Sequence, residues 1–157
     1  KSSAASDVYK RQVHAASLER PVKLMIALEM IGYYDSAPSS QDYPYPAMSW
    51  LYPDRGDFIA VVGRMQDINA VRQVKAALLS SRDLSVYSMN APGFIPGIDF
   101  SDHLNYWQHD IPAVMITDTA FYRNKQYHLP GDTADRLNYQ KMAQVVDGVI
   151  TLLYNSK

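Results

Sequence analysis

Apolar residues in this chain fall into short blocks set between polar, proline-bearing stretches, and the spacing inside each block says which element it forms. Val22 to Leu28 is an apolar run broken only by Lys23, β-branched in places and followed shortly by Gly32, which predicts a buried strand. Phe58 to Val62, Leu84 to Met89 and Pro112 to Thr117 predict further strands. Ile68, Val71, Val74 and Leu78 recur at helical spacing behind Asp67, which is placed to cap that helix. Ser101 is placed to cap a short helix reaching His109. Asn138 stands likewise before a final helix, with Met142, Val145, Val146, Val149, Leu152 and Leu153 on its predicted buried face. Near the start, Val13 to Glu19 reads as a helix end closed by Pro21.

Strands alternating with helices predict an α/β fold, a three-layer sandwich in which helices flank a largely parallel mixed sheet. The connections carry information too. Tyr33 to Asp57 is a long loop holding Pro38, Pro44, Pro46, Pro53 and Trp50, and a loop of that length in a compact domain is usually functional or lid-like. In open α/β sheets reactive groups gather beyond the carboxyl ends of the strands. Glu29 follows the first strand, Asp102 and His103 follow the loop after the third, and His128 lies in the polar loop after the fourth. Glu29, Asp102 and His128 are therefore expected to lie close together at one edge of the sheet.

The composition of the 157 residues narrows the function classes. Net charge is −1 with no cluster of Lys and Arg, which argues against nucleic acid or an anionic membrane as partner. With no cysteine, disulfides, thiolate zinc sites and cysteine nucleophiles are excluded, while the compartment stays open. No apolar run approaches the length of a membrane span. Lys1 to Gln12 is polar without apolar periodicity and reads as a non-native or disordered segment, so the fold argument covers residues 13–157.

Candidate chemistry concentrates in two places. Tyr127-His128-Leu129-Pro130-Gly131-Asp132 puts a histidine and an acid four residues apart in a Pro-Gly turn. A histidine on an ordered polar loop is placed where metal ligands and proton-transfer groups tend to lie. Glu29 closes an apolar strand, where a carboxylate needs a cation, a metal or a nest of donors. Blander readings stand beside these. Glu29 fits a salt bridge at a strand end, and His128 a loop histidine bonded to a backbone carbonyl. Asp102 fits a helix-dipole acid, Asp132 a turn former, and His14 and His109 structural residues.

Several blocks together resemble the zinc aminopeptidases of metallopeptidase family 28. They are Ala27-Leu28-Glu29-Met30-Ile31-Gly32, Ser101-Asp102-His103 with the aromatic pair Tyr106-Trp107, Ile111 to Asn124, and Tyr127-His128-x-Pro-x-Asp132. The resemblance implies two zinc ions sharing a bridging carboxylate, a metal-held water, and a peptide as substrate. It implies Glu29 as ligand to one zinc and His128 to the other, with Asp102 and Tyr127 as catalytic candidates, Tyr127 as oxyanion donor. The early histidine and aspartate, the bridging aspartate and the Glu-Glu pair of that family find no match here. The chain is accordingly expected to be the C-terminal part of a catalytic domain and inactive alone, since one ligand per metal falls short of the usual three. The resemblance also points to a secreted or periplasmic protein. Two other readings remain. One is a glutaminyl cyclase-like acyltransferase with a single zinc; the other is a non-catalytic interaction domain of the same fold.

Overall fold

The computed structural model describes residues 22–155. The expectations for Lys1 to Gln12, Val13 to Glu19 and His14 lie outside the described residues. Four strands form one sheet: β1 (Met25–Leu28), β2 (Phe58–Gly63), β3 (Ser85–Asn90) and β4 (Ala113–Thr117), in the order β1-β4-β2-β3. β1 runs parallel to β4 and β2 parallel to β3, while β2 and β4 are antiparallel. The sheet is thus mixed, with two of its three strand pairings parallel, in keeping with the largely parallel mixed sheet expected from the sequence. Among the described residues three α-helices accompany it: α1 (Ile68–Leu78), α2 (His103–Trp107) and α3 (Tyr139–Asn155).

The pleat sorts side chains to two faces. Ile59, Val61, Val86, Val114 and Ile116 point to one face, where they pack with Val71, Val74 and Leu78 of α1 and Val145 and Leu152 of α3. Phe58, Ala60, Val62, Ala113 and Met115 point to the other, under Ile98 and Trp107. Every residue of β2 and β4 is buried, because both faces are covered. This is why those strands read as continuous apolar runs without polar alternation.

Several expectations shift in detail. β1 begins at Met25 rather than Val22, where pairing with Ala113 of β4 starts. β3 moves one residue on and ends at Asn90, paired with Gly63. Asp67 takes the N-cap position of α1 without a side-chain cap bond. Its carboxylate is held instead by Arg64, with Nε donating at 2.8 Å and Nη2 at 3.2 Å. α2 is shorter than expected, and Asp102 rather than Ser101 is its N-cap residue. Asn138 caps α3 as expected, its Oδ1 accepting from the Lys141 N–H at 3.0 Å.

The buried face of α3 is narrower than its apolar pattern. Val145, Gly148 and Leu152 are buried, whereas Val146 and Leu153 are exposed at 43% and 63%. Each lies one residue, about 100° of rotation, beyond a buried neighbour. The close approach of α1 and α3 occurs at Gly148, where a Cβ would stand 2.9 Å from the Leu78 Cα. Backbone cannot yield as a side-chain tip can, so Gly148→Ala should push the helices apart. We expect a loss of roughly 1–3 kcal/mol, read as a lower denaturation midpoint; an unchanged midpoint would show that the helices slide freely.

Candidate active site

The carboxyl ends of β1 and β4 lie side by side because the two strands are parallel and paired. Glu29 is the first residue past β1, and its N–H donates to the Ile116 carbonyl at 3.0 Å, extending the ladder one step. Its half-buried carboxylate accepts from Ser101 Oγ at 2.9 Å. One carboxylate oxygen is thereby fixed by the segment that precedes α2.

Asp118, the first residue past β4, ties the two strand ends together. It is fully buried and accepts from the N–H groups of Gly32 (3.1 Å), Tyr33 (2.8 Å) and Ala120 (3.0 Å). Burial raises its pKa, opposed by those backbone donors and by the charge of Arg123. Its own N–H donates to the Met30 carbonyl at 2.6 Å. The backbone turns sharply here: Met30, Thr119 and Ala120 have φ of 55°, 75° and 47°. Left-handed conformations are costly for residues with a Cβ, and such outliers cluster at functional sites.

Arg123 and Asn124 hold the loops around this edge. The Arg123 guanidinium is buried against the Phe58 ring, 4.6 Å from its centroid. Nε donates to Gln41 Oε1 at 2.9 Å, and Nη1 to the carbonyls of Tyr33 (3.0 Å) and Phe58 (2.9 Å). Gln41 also bonds Thr119 Oγ1. The long loop from Tyr33 to Asp57 is thus clasped to the loop after β4. Gly56 makes room for this clasp, since a Cβ there would meet Arg123 Cδ and Nε at 2.5 Å. Asn124 Nδ2 donates to Asp132 Oδ1 at 2.8 Å, and its Oδ1 accepts from the Gln126 N–H and from Arg136. These bonds shape the turn that carries Tyr127 and His128.

The predicted residues are distributed as follows. Glu29 and Tyr127 line one open cavity of about 110 Å³. Burial raises the Tyr127 pKa, and the charges of Glu29, Asp132 and Asp118 raise it further, which keeps the phenol protonated. His128 is exposed, has φ 60°, and sets its ring edgewise on Tyr127 with centroids 4.0 Å apart. Asp102 sits at the N-cap of α2, its carbonyl accepting from the Asn105 N–H at 3.1 Å. From that block the residue that reaches Glu29 is Ser101. Its neighbour His103 turns into the core: it is fully buried, Nε2 lies 2.6 Å from the Ile98 carbonyl, and burial lowers its pKa. His109, read as structural, is exposed just past α2.

Among the described residues no group of three or more His, Cys, Asp or Glu side chains is arranged to hold a metal ion. Glu29 offers a carboxylate oriented by Ser101, and His128 an accessible imidazole. Their donor chemistry suits zinc, but two donors do not complete a zinc site. Asp118, Arg123, Asn124 and Gln41 were not candidates on sequence grounds. The only signal was the polar Arg-Asn pair inside an otherwise aromatic stretch, Phe121-Tyr122-Arg123-Asn124.

The chain is thus an α/β protein with a mixed sheet and polar groups gathered past β1 and β4. A model of the family described as Peptidase family M28 matches residues 4–153, and the chain belongs to that family. It is 93% identical over 152 residues to the uncharacterized protein YfbL of Escherichia coli strain K12, covering 97% of this chain and 47% of that protein. The chain therefore spans about half the length of this curated relative. Among solved structures it resembles the Legionella pneumophila LapA aminopeptidase, with TM-score 0.65, 20% identity, and coverage of 92% of this chain and 35% of that one. It also resembles BSAP, a zinc aminopeptidase from Bacillus subtilis, with TM-score 0.62, 16% identity, and coverage of 95% and 32%. The aminopeptidase of Aneurinibacillus sp. strain AM-1 gives TM-score 0.60, 19% identity, and coverage of 98% and 31%. At these identities the structures show a shared fold.

Proposed function

We propose that residues 13–157 form part of the catalytic domain of a zinc-dependent aminopeptidase, which removes N-terminal residues from peptides. The observation that carries this reading is the meeting of Tyr127 and a Glu29 carboxylate held by Ser101 at one cavity beyond the ends of β1 and β4. Membership of the M28 peptidase family supports it. Glu29 and His128 are proposed as zinc ligands, one for each of two ions, with the remaining ligands and the general base supplied from outside this chain. Bound zinc would polarise the scissile carbonyl and lower the pKa of a bound water. Tyr127 is the proposed oxyanion donor, its side chain lining the same cavity as Glu29. Asp102 is proposed to act on the site from the N-cap of α2, one residue past the Ser101 that orients Glu29.

Turnover of aminoacyl chromogenic substrates tests the reading. The complete protein should cleave them, lose activity to a chelator and regain it with zinc. The 157-residue chain alone should show no turnover and no stoichiometric zinc after dialysis. Activity in the isolated chain, or chelator-resistant activity in the complete protein, would contradict the proposal.

A further inference from the structure

Among the described residues α3 is covered on one flank only. Gln144 and Gly148 face α1 and the turn that follows it. Ser81 Oγ donates to the Gln144 carbonyl at 2.9 Å, the Gln144 amide donates to the Arg82 carbonyl at 2.8 Å, and Gly148 abuts Leu78. Val145 and Leu152 point to the sheet. On the opposite flank Tyr139, Ala143, Val146, Ile150 and Leu153 recur at alternating steps of four and three, and all five are exposed. Such steps keep side chains in one line along a helix and mark the seam between two packed helices. A solvated flank ordinarily carries charged and polar residues, and this line carries no charge.

The bare flank looks toward β1. α1 packs over β2 and β3, at the far end of the sheet from β1. The start of α3 lies beside the segment after β1, where the Asn138 N–H donates to the Gly32 carbonyl at 2.8 Å. β1 is an edge strand. Its Met25 and the following Glu29 donate their N–H groups to carbonyls of the β4 segment, so the alternation of backbone groups turns those of Ile26 and Leu28 to the outer edge. Leu28 shares the α3 face of the sheet with Ile26, yet it is 47% exposed. A row of open backbone groups in the sheet layer and an apolar line in the helix layer thus end at the same margin of the molecule.

We propose that this margin is an internal interface of the complete protein. The part of it lying outside this chain adds a strand to the outer edge of β1 and lays an amphipathic helix along Tyr139, Ala143, Val146, Ile150 and Leu153. Three observations support that occupant. The chain it requires exists, since the relative 93% identical to this one extends to about twice its length. An open edge and an apolar line are both liabilities in a free domain, and one added strand and helix cover both. The uncharged line asks for apolar residues at matching helical spacing, with no role for a charged ligand or an anionic surface. The proposal goes beyond the aminopeptidase reading and does not depend on it.

Thiol accessibility tests this, because the 157-residue chain has no cysteine of its own. In the complete protein, Val146→Cys and Ile150→Cys should react with a maleimide about 100-fold or more slowly than Asp147→Cys on the outward face, since a buried thiol waits on local opening. Mass spectrometry of the labelled peptides separates these thiols from any others. The N–H groups of Ile26 and Leu28 should also be protected from hydrogen exchange, as in a strand paired on both edges. Should either substitution prevent folding, Ala143→Cys gives the same comparison. Equal labelling of the two faces would overturn the proposal, as would exchange at Ile26 and Leu28 as fast as in exposed loops. Protection that disappears when the complete protein is diluted to a monomer would assign the margin to a second copy and overturn it as well.

Discussion

Arg123→Ala should destabilise the fold by roughly 2–5 kcal/mol, because it removes the donor to several buried acceptors at once and each orphaned acceptor costs roughly 1–3 kcal/mol. The carbonyls of Tyr33 and Phe58 lose a partner, and Gln41 Oε1 loses one of two. The Phe58 ring also loses the guanidinium plane that covers it. Domain stabilities are only about 5–15 kcal/mol, so this is a large fraction of the total. Arg123→Lys should recover little of the loss, since an ammonium cannot fork to the same acceptors. Urea unfolding measures the effect. A midpoint unchanged from wild type would mean that the loops before β2 and after β4 are held by something other than this clasp.

Tyr127→Phe in the complete protein should lower kcat by about 10²–10³-fold with little change in KM, the typical cost of losing one oxyanion donor. The phenol is suited to donate because it stays protonated. Burial lifts its pKa first and the negative charges of Glu29, Asp132 and Asp118 add to this. The sign is that of a raised acid: the donor form persists as pH rises through the ordinary tyrosine range and is lost only above the raised value. Full turnover in Tyr127→Phe would reduce the residue to packing against Phe121 and His128.

The fold was legible because both of its core strands are buried on two faces. Phe58 to Gly63 and Ala113 to Thr117 have no polar residue until Thr117, and a run so short and apolar can hardly be anything but an internal strand. The helix α1 was legible for the opposite reason, its one-sided spacing. What was hidden depends on distance along the chain. Asp118 finds its donors 85 and 86 residues away, and Arg123 its acceptors 65 to 90 residues away. No local pattern announces such partners. The Ser101-Asp102-His103 block was recognisable as a block, but which member would face the site depended on where α2 begins. His103 faces the core, and Ser101 faces Glu29. The cavity was invisible for a related reason. Ala60, Val62, Met115 and Thr117 line it together only because register pairs Ala60 with Thr117 and Val62 with Met115, and a slip of one residue would turn a strand's set to the other face.

In the proposed reading the edge past β1 and β4 is one face of a zinc peptidase site, with His128 among its ligands. The most direct test is the zinc content of the complete protein carrying His128→Ala, measured after dialysis beside its aminoacyl turnover. Zinc and rate should fall together, whereas Tyr127→Phe should keep its zinc and lose rate. A His128→Ala protein that retains zinc at wild-type affinity and wild-type turnover would contradict it.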